Sequence, residues 1–173
     1  MRFYVIKRKD VYKPQIFLPY SLKEQIDISK GKIDVIGKME IWQVKESDFT
    51  FFSDILTEPV LMLSSKAKEV FQIYDSKMEF KQIILFGRER ETVMQYYLPV
   101  LHEISGNQKE NNLVEISRED KDIFQKTPIV RLKIKEKKRF LADLEIIESF
   151  LKRRLSGVEI VRTDVIWKEA LTE

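Results

Sequence analysis

Residues 129–135 constrain the fold of this chain more than any other stretch. Val130, Leu132 and Ile134 alternate there with Arg131, Lys133 and Lys135. Successive side chains of an extended strand point to opposite faces, so the run predicts a strand with an apolar inner face and a basic outer one. Such a strand needs sheet neighbours beside it and a core beneath it. Glu136-Lys137-Lys138-Arg139 reads as the turn that follows.

Neighbours are available. Phe3 to Lys7 reads as a strand, and Val11 to Tyr20, with Pro14 and Pro19, as an extended loop or edge segment. Ile33 to Val44 carries apolar groups in both phases (Ile33, Val35, Met39 and Ile41 in one; Ile36, Trp42 and Val44 in the other). That predicts burial on both sides or a bend at Gly37. Phe49 to Leu56 is irregular but must be partly buried, and Val60 to Leu63 reads as a short buried strand. Gln82 to Phe86, closed by Gly87, and Val93 to Glu103 flank a charged turn, Arg88 to Glu91, and make an antiparallel hairpin. Pro99 lacks an N–H for the ladder and marks an edge or a bulge. Leu113 to Ile116 is a further short strand, and Val158 to Val161 and Val165 to Trp167 read as terminal strands or an ordered tail.

Two helices stand out. Ser64 or Ser65 can cap the first, whose Ala67, Val70, Phe71 and Tyr74 fall at i, i+3, i+4 and i+7. Asp143 can cap the second, with Leu144, Ile147, Phe150, Leu151 and Leu155 on its apolar face, Lys152, Arg153 and Arg154 at its end and Gly157 as its left-handed stop. The predicted fold class is therefore α+β, an antiparallel or mixed β-sheet with two main helices packed on it. Thr57-Glu58-Pro59 punctuates the chain and divides an N-terminal β-rich portion, 1–57, packed on an α+β main body, 58–173.

Much chemistry is excluded. There is no cysteine among the 173 residues, which removes thiol nucleophiles, disulfides, iron–sulfur clusters and cysteine-ligated zinc. His102 is the one histidine; no Gly-x-Ser-x-Gly elbow accompanies it, and His102-Glu103 lacks the second histidine of a zinc-protease motif. Gly31 to Met39 resembles a phosphate loop, but five residues separate its glycines and Met39 stands where a magnesium-holding hydroxyl belongs. Glu145 and Glu148 lie three apart, yet Glu148 has Lys152 four residues on, an ordinary surface pair. The reading is of a non-enzymatic chain with no catalytic set, cofactor or metal. No apolar run approaches the ~20 residues a membrane span needs. Met1 to Asp10 turns basic too early for a signal peptide, so a cytoplasmic location is expected.

Two binding surfaces can be assembled. Tyr96, Tyr97, Trp42 and Trp167 could anchor a protein partner, because Trp and Tyr dominate interface hot spots. Adjacent tyrosines on a strand face opposite ways, so one of the pair can be exposed; each of the four could equally be core. Arg131, Lys133, Lys135, Lys137, Lys138 and Arg139 form a candidate basic patch for phosphates. With 31 basic against 28 acidic residues the net charge is only +3, Glu136 interrupts the run, and Phe140 is its one aromatic, so a solvated strand face explains these charges as well.

Pro59-Val-Leu-Met-Leu-Ser-Ser-Lys-Ala-Lys-Glu-Val-Phe71, Lys81-Gln-Ile-Ile-Leu-Phe86, Gln95-Tyr-Tyr-Leu-Pro-Val-Leu101 and Phe140-Leu-Ala-Asp-Leu-Glu-Ile-Ile-Glu-Ser-Phe-Leu-Lys-Arg-Arg-Leu-Ser-Gly-Val-Glu-Ile160 together resemble the small α+β immunity proteins of bacterial polymorphic-toxin systems. The family's pattern is a proline, short apolar strand, serine and helix, then a Tyr-Tyr-x-x-x strand, then a late helix ending Arg-Arg-x-x-x-Gly; this chain has Arg153-Arg154-Leu-Ser-Gly157, one residue shorter. It covers about residues 58–161. The resemblance implies a protein that binds and occludes a cognate toxin, with no catalytic residues. Inhibitors of nuclease toxins tend to be acidic to complement a basic site, whereas this chain is slightly basic, which points to a different toxin chemistry or a local acidic patch. The competing reading is a small nucleic-acid-binding or regulatory domain using the basic strand.

Overall fold

The alternating run folds as a strand over Ile129–Ile134, with Val130, Leu132 and Ile134 buried and Lys133 exposed. The computed structural model describes residues 2–8, 14–18, 33–110, 112–135 and 137–168. In chain order its strands are β1 (Arg2–Arg8), β2 (Gln15–Phe17), β3 (Met39–Lys45), β4 (Ile55–Leu56), β5 (Met62–Leu63), β6 (Phe80–Gly87), β7 (Thr92–Pro99), β8 (Glu103–Gln108), β9 (Leu113–Ser117), β10 (Ile129–Ile134), β11 (Lys137–Ala142) and β12 (Val158–Lys168). Three short α-helices accompany them among the described residues: α1 (Ser65–Tyr74), α2 (Lys121–Lys126) and α3 (Leu144–Lys152).

The expectation of one sheet carrying two helices is overturned. The protein is mostly β and is built on two sheets. One closes into a six-stranded barrel in the order β1-β11-β10-β8-β9-β12, with β12 returning to β1. The other runs β2-β3-β6-β7-β5-β4. The error has a physical source. Residues 137–139 are so charged that they read as a turn, but Lys137–Ala142 pairs with β10 along its whole length, Lys138 opposite Lys133 and Phe140 opposite Arg131. Lys135, at φ 51°, makes the turn before it, and Glu136 lies outside the described residues. The two terminal fragments are one eleven-residue strand, pairing β1 through Asp164 and β9 from Asp164 onward. Pro99 ends β7, where only Phe80 of β6 lies opposite it, and the chain crosses there from the second sheet to the barrel. Strands from both sides of residue 57 share each sheet, since β1 pairs β11 and β12, and β3 pairs β6.

The barrel interior is filled, not hollow. Phe3, Val5, Ile104, Val114, Ile116, Val130, Leu132, Leu141 and Val165 meet there. Helix α2 contributes Phe124, edge-on to Phe3 at 4.3 Å and to Trp167 at 5.8 Å. A second core fills the inner side of the other sheet, with Trp42, Ile83, Leu85, Tyr96, Leu98 and Met62. Ile33 and Ile36 cover it from a turn in place of the longer strand expected for 33–44. Lys81 Nζ holds that turn by donating to the carbonyls of Ile33 (2.7 Å), Asp34 (3.5 Å) and Ile36. Gly31 and Lys32, like residues 9–13 and 19–20 of the expected extended segment, lie outside the described residues.

The two expected helices are present, but they pack between the sheets. Phe71 of α1 stacks on Phe150 of α3 at 5.8 Å, and a third core gathers them with Ile6, Ile129 and Ala142 of the barrel, Leu63 of the second sheet and Leu61 just before it. Ser64 caps α1 by accepting from Ala67 N at 3.2 Å; Asp143 caps α3 by accepting from Ile146 N at 3.0 Å. Gly157 is not the stop of α3. Arg154 (φ 52°) takes the left-handed position, with Arg154 N donating to Leu151 O and Leu155 N to Phe150 O, which satisfies the last carbonyls. Gly157 (φ +98°) serves a close approach: a Cβ there would lie 2.2 Å from Ile55 O and 2.4 Å from Ser53 Cβ. Asp54 ties this junction, accepting from Ser156 N and Oγ (both 2.9 Å) and from Ser64 Oγ (3.0 Å).

Candidate functional site

The aromatic candidates are dispersed. Trp42 is 1% exposed in the core of the second sheet, and its Nε1 donates to Glu40 Oε2 at 2.9 Å. Tyr96 is equally buried and donates to Ser53 O at 2.7 Å; burial, helped by the Asp54 charge, pushes the pKa of its hydroxyl up. Each is a core residue whose polar atom is satisfied internally, as buried Trp and Tyr require. Trp167 is half-buried beside Phe124 at the barrel. Tyr97 alone lies on the outward side of the second sheet, under Lys68 Nζ at 4.1 Å and accepting from Gln95 Nε2 at 2.5 Å.

The basic candidates divide as well. Lys133 and Lys135 are exposed. Arg131 is half-buried and paired with Glu103 at 3.2 Å. Arg139 alternates to the opposite face of its strand from Lys138 and donates to Gln108 Oε1 at 2.7 Å. Lys137 begins β11, and its side chain is not among those described. His102 is exposed, and Glu148 pairs with Lys152 at 3.7 Å. Among the described side chains, register sets Arg131, Lys133 and Lys138 on one face of the β10–β11 pair and Arg139 on the other.

Two other features were not legible in the sequence. The first is the outward face of the second sheet. Register aligns Phe17, Gln43, Phe86 and Val93 across one row, and Ile41, Ile84 and Gln95 across the next. Phe17 is 46% exposed, Met39 59%, Ile41 67% and Val93 62%. Among the outward positions of β2, β3, β6 and β7, Lys45 is the only charged residue. Both phases of β3 are apolar because one packs on Trp42's core and the other faces outward.

The second feature is a cavity of about 170 Å³ at the seam between the second sheet and the barrel. Leu61, Leu98, Leu101 and Phe140 line one part; Thr57, Glu58, Arg131 and Lys138 line another. An adjoining cleft shares Thr57, Glu58, Lys138 and Phe140 and adds Lys7 and Arg139. The β10–β11 register sets Arg131 and Lys138 on the outer barrel wall, while the segment leading into β5 brings Thr57 and Glu58 across from it.

No protein-family model matches this chain, and no curated protein matches it. The described residues hold no cluster of three or more His, Asp or Glu placed to bind a metal ion, and none of their helices is long and apolar enough to cross a membrane.

Proposed function

We propose that this chain is a non-enzymatic protein-binding protein which neutralises a cognate bacterial toxin by covering it, and that the outward face of its second sheet is the docking surface. The observation that carries the reading is the run of exposed Phe17, Met39, Ile41 and Val93 on strands whose outward positions hold one charge. A contiguous apolar face of this kind costs solubility unless a partner covers it.

The occupant is a foreign protein with an apolar centre and an acidic border. The one charge within this face is cationic, Lys45, and Lys68 stands over Tyr97 at its margin. A two-fold pairing of the face with itself would set like charges near one another, whereas carboxylates on a different partner complement them. The slight basicity of the chain then suits a toxin with an acidic docking border.

The test is co-expression with the toxin domain encoded beside this chain. The wild type should restore growth, and Ile41→Asp combined with Val93→Asp should abolish rescue while leaving the circular dichroism spectrum and unfolding cooperativity unchanged. Rescue that survives both substitutions overturns the docking surface; a gene neighbourhood without a toxin overturns the function. A dimer in sedimentation that the same pair dissolves would give the face to a second copy and refute the foreign occupant.

A further inference from the structure

We infer that the seam cavity is a binding site for a small neutral molecule, one ring in size and carrying a single hydroxyl or carbonyl oxygen. The site is separate from the docking face, because Leu98 lies on the inner side of the second sheet. Its walls are apolar and fixed. Ile33, Val60, Leu61, Leu98 and Leu101, each at most 7% exposed, close much of the cavity, and Phe140 lies on it from the barrel. The volume is about 170 Å³. A cavity of about 150 Å³ lined by Leu, Ile and Phe holds benzene, so this one has room for a ring and one substituent.

The charged groups on the lining select a neutral ligand. Arg131 pairs with Glu103 at 3.2 Å, and neither Glu58 nor Lys138 is without a partner. An ion entering the cavity would lose its water and would have to break one of these contacts to be compensated. A neutral molecule leaves them in place. One polar atom does stand unsatisfied: Thr57 Oγ1 is buried with no hydrogen-bond partner among the described residues. Such an orphan is costly, and a single ligand oxygen would satisfy it, since a hydroxyl both donates and accepts. The adjoining cleft shares Thr57 and Phe140, reaches the exposed Lys7 and supplies the approach from outside.

The test is thermal unfolding of the full chain in about 20 mM cyclohexanol, where occupancy should raise the Tm by roughly 4 °C. Sodium cyclohexanecarboxylate and cyclohexylammonium chloride present the same ring with either charge, ethanol presents the hydroxyl without the ring, and none of the three should produce the shift. Leu101→Phe, which fills the cavity, should abolish it, and the exposed Lys133→Gln should retain it. Thr57→Val keeps the volume and removes the oxygen; it should lose most of the shift, yet melt no lower than the wild type without ligand, because the hydroxyl has no bond to give up. No shift with cyclohexanol, an equal shift with either salt or with ethanol, or a shift that survives Leu101→Phe overturns the site. Should Leu101→Phe fail to fold, a shift that survives Thr57→Val overturns it equally. A Thr57→Val variant that melts several degrees below the wild type without ligand would show Oγ1 already bonded to ordered water, and would remove the anchor.

Discussion

Replacing Gly157 by alanine should destabilise the protein severely, and the size of the loss follows from two separate costs. The backbone there sits at φ +98°, and holding an L-residue at positive φ costs about 1–2 kcal/mol. The added Cβ would meet Ile55 O at 2.2 Å and Ser53 Cβ at 2.4 Å. Those atoms belong to the segment that enters β4, whose Ile55 N donates to Ser156 O at 3.1 Å, so they cannot withdraw without breaking the junction. Overpacking of this kind costs about 1–3 kcal/mol. Together the loss should reach roughly 2–5 kcal/mol in urea unfolding followed by circular dichroism, with the m-value unchanged. Gly37→Ala is the control. Gly37 has no positive φ, and its nearest atom to a new Cβ is Glu40 Oε1 at 3.5 Å, so alanine there should be neutral or stabilise by up to about 1 kcal/mol. A loss below about 1 kcal/mol at Gly157 would show that the Ser53–Ile55 contact yields easily, and would refute the view of this junction as a rigid tie.

The Asp54 carboxyl is raised by burial, but the Ser156 amide and hydroxyl, the Ser64 hydroxyl and Lys66 outweigh that and hold its pKa below the ordinary value. A depressed folded pKa gives stability that is present above the unfolded value, near 3.9, and lost as pH falls through the folded one; Asp54→Asn should flatten that acid limb, and an unchanged limb would discount the tie. Asp143 carries the opposite sign, since burial raises its pKa, with Glu145 adding, so its charge weighs against the fold at neutral pH. Asp143→Asn, which keeps the cap, should cost little in urea unfolding at pH 7, while Asp143→Ala loses about 1 kcal/mol. Lys81→Met removes the ammonium that holds three carbonyls of the 33–36 turn and should cost about 1–3 kcal/mol; equal stability would show the turn is held by Ile33 and Ile36 packing alone. Because Arg131 is paired with Glu103 and Arg139 turns to the opposite strand face, Lys133→Glu with Lys135→Glu should leave the salt dependence of duplex DNA retention unchanged, and a salt slope reduced by about 2 would revive the nucleic-acid reading.

Local signals carried the elements whose information is local. Ala67, Val70 and Phe71 at helical spacing behind Ser64 predicted α1, and the period-two run predicted β10 with the correct face inward. The β6–β7 hairpin followed from its charged turn. Elements whose identity depends on distant partners were not legible. Lys138 and Arg139 belong to a strand because β10 lies opposite them and β1 joins the same strand from Phe140 onward, and nothing in their own residues says so. Helix α2 is six residues long, too short for a period, although the adjacent apolar pair Ile123-Phe124 is a trace of it. Trp42 and Tyr96 resemble interface anchors by residue type alone, and only the sheet's second apolar phase shows which side is core. The seam cavity joins Thr57 to Lys138, a juxtaposition that exists only once both sheets are assembled.

The barrel is sealed where β1 meets β12, Arg2 opposite Asp164 and Arg8 opposite Val158. A ribosome delivers the first of these strands long before the last. Until β12 leaves the exit tunnel, β1 holds an open ladder edge and Phe3 and Val5 lack the wall contributed by Val165. A chain that has not yet supplied β12 therefore carries a sticky seam unlatched, and its need for chaperone shelter should fall abruptly when β12 pairs with β1 rather than decline as each element emerges.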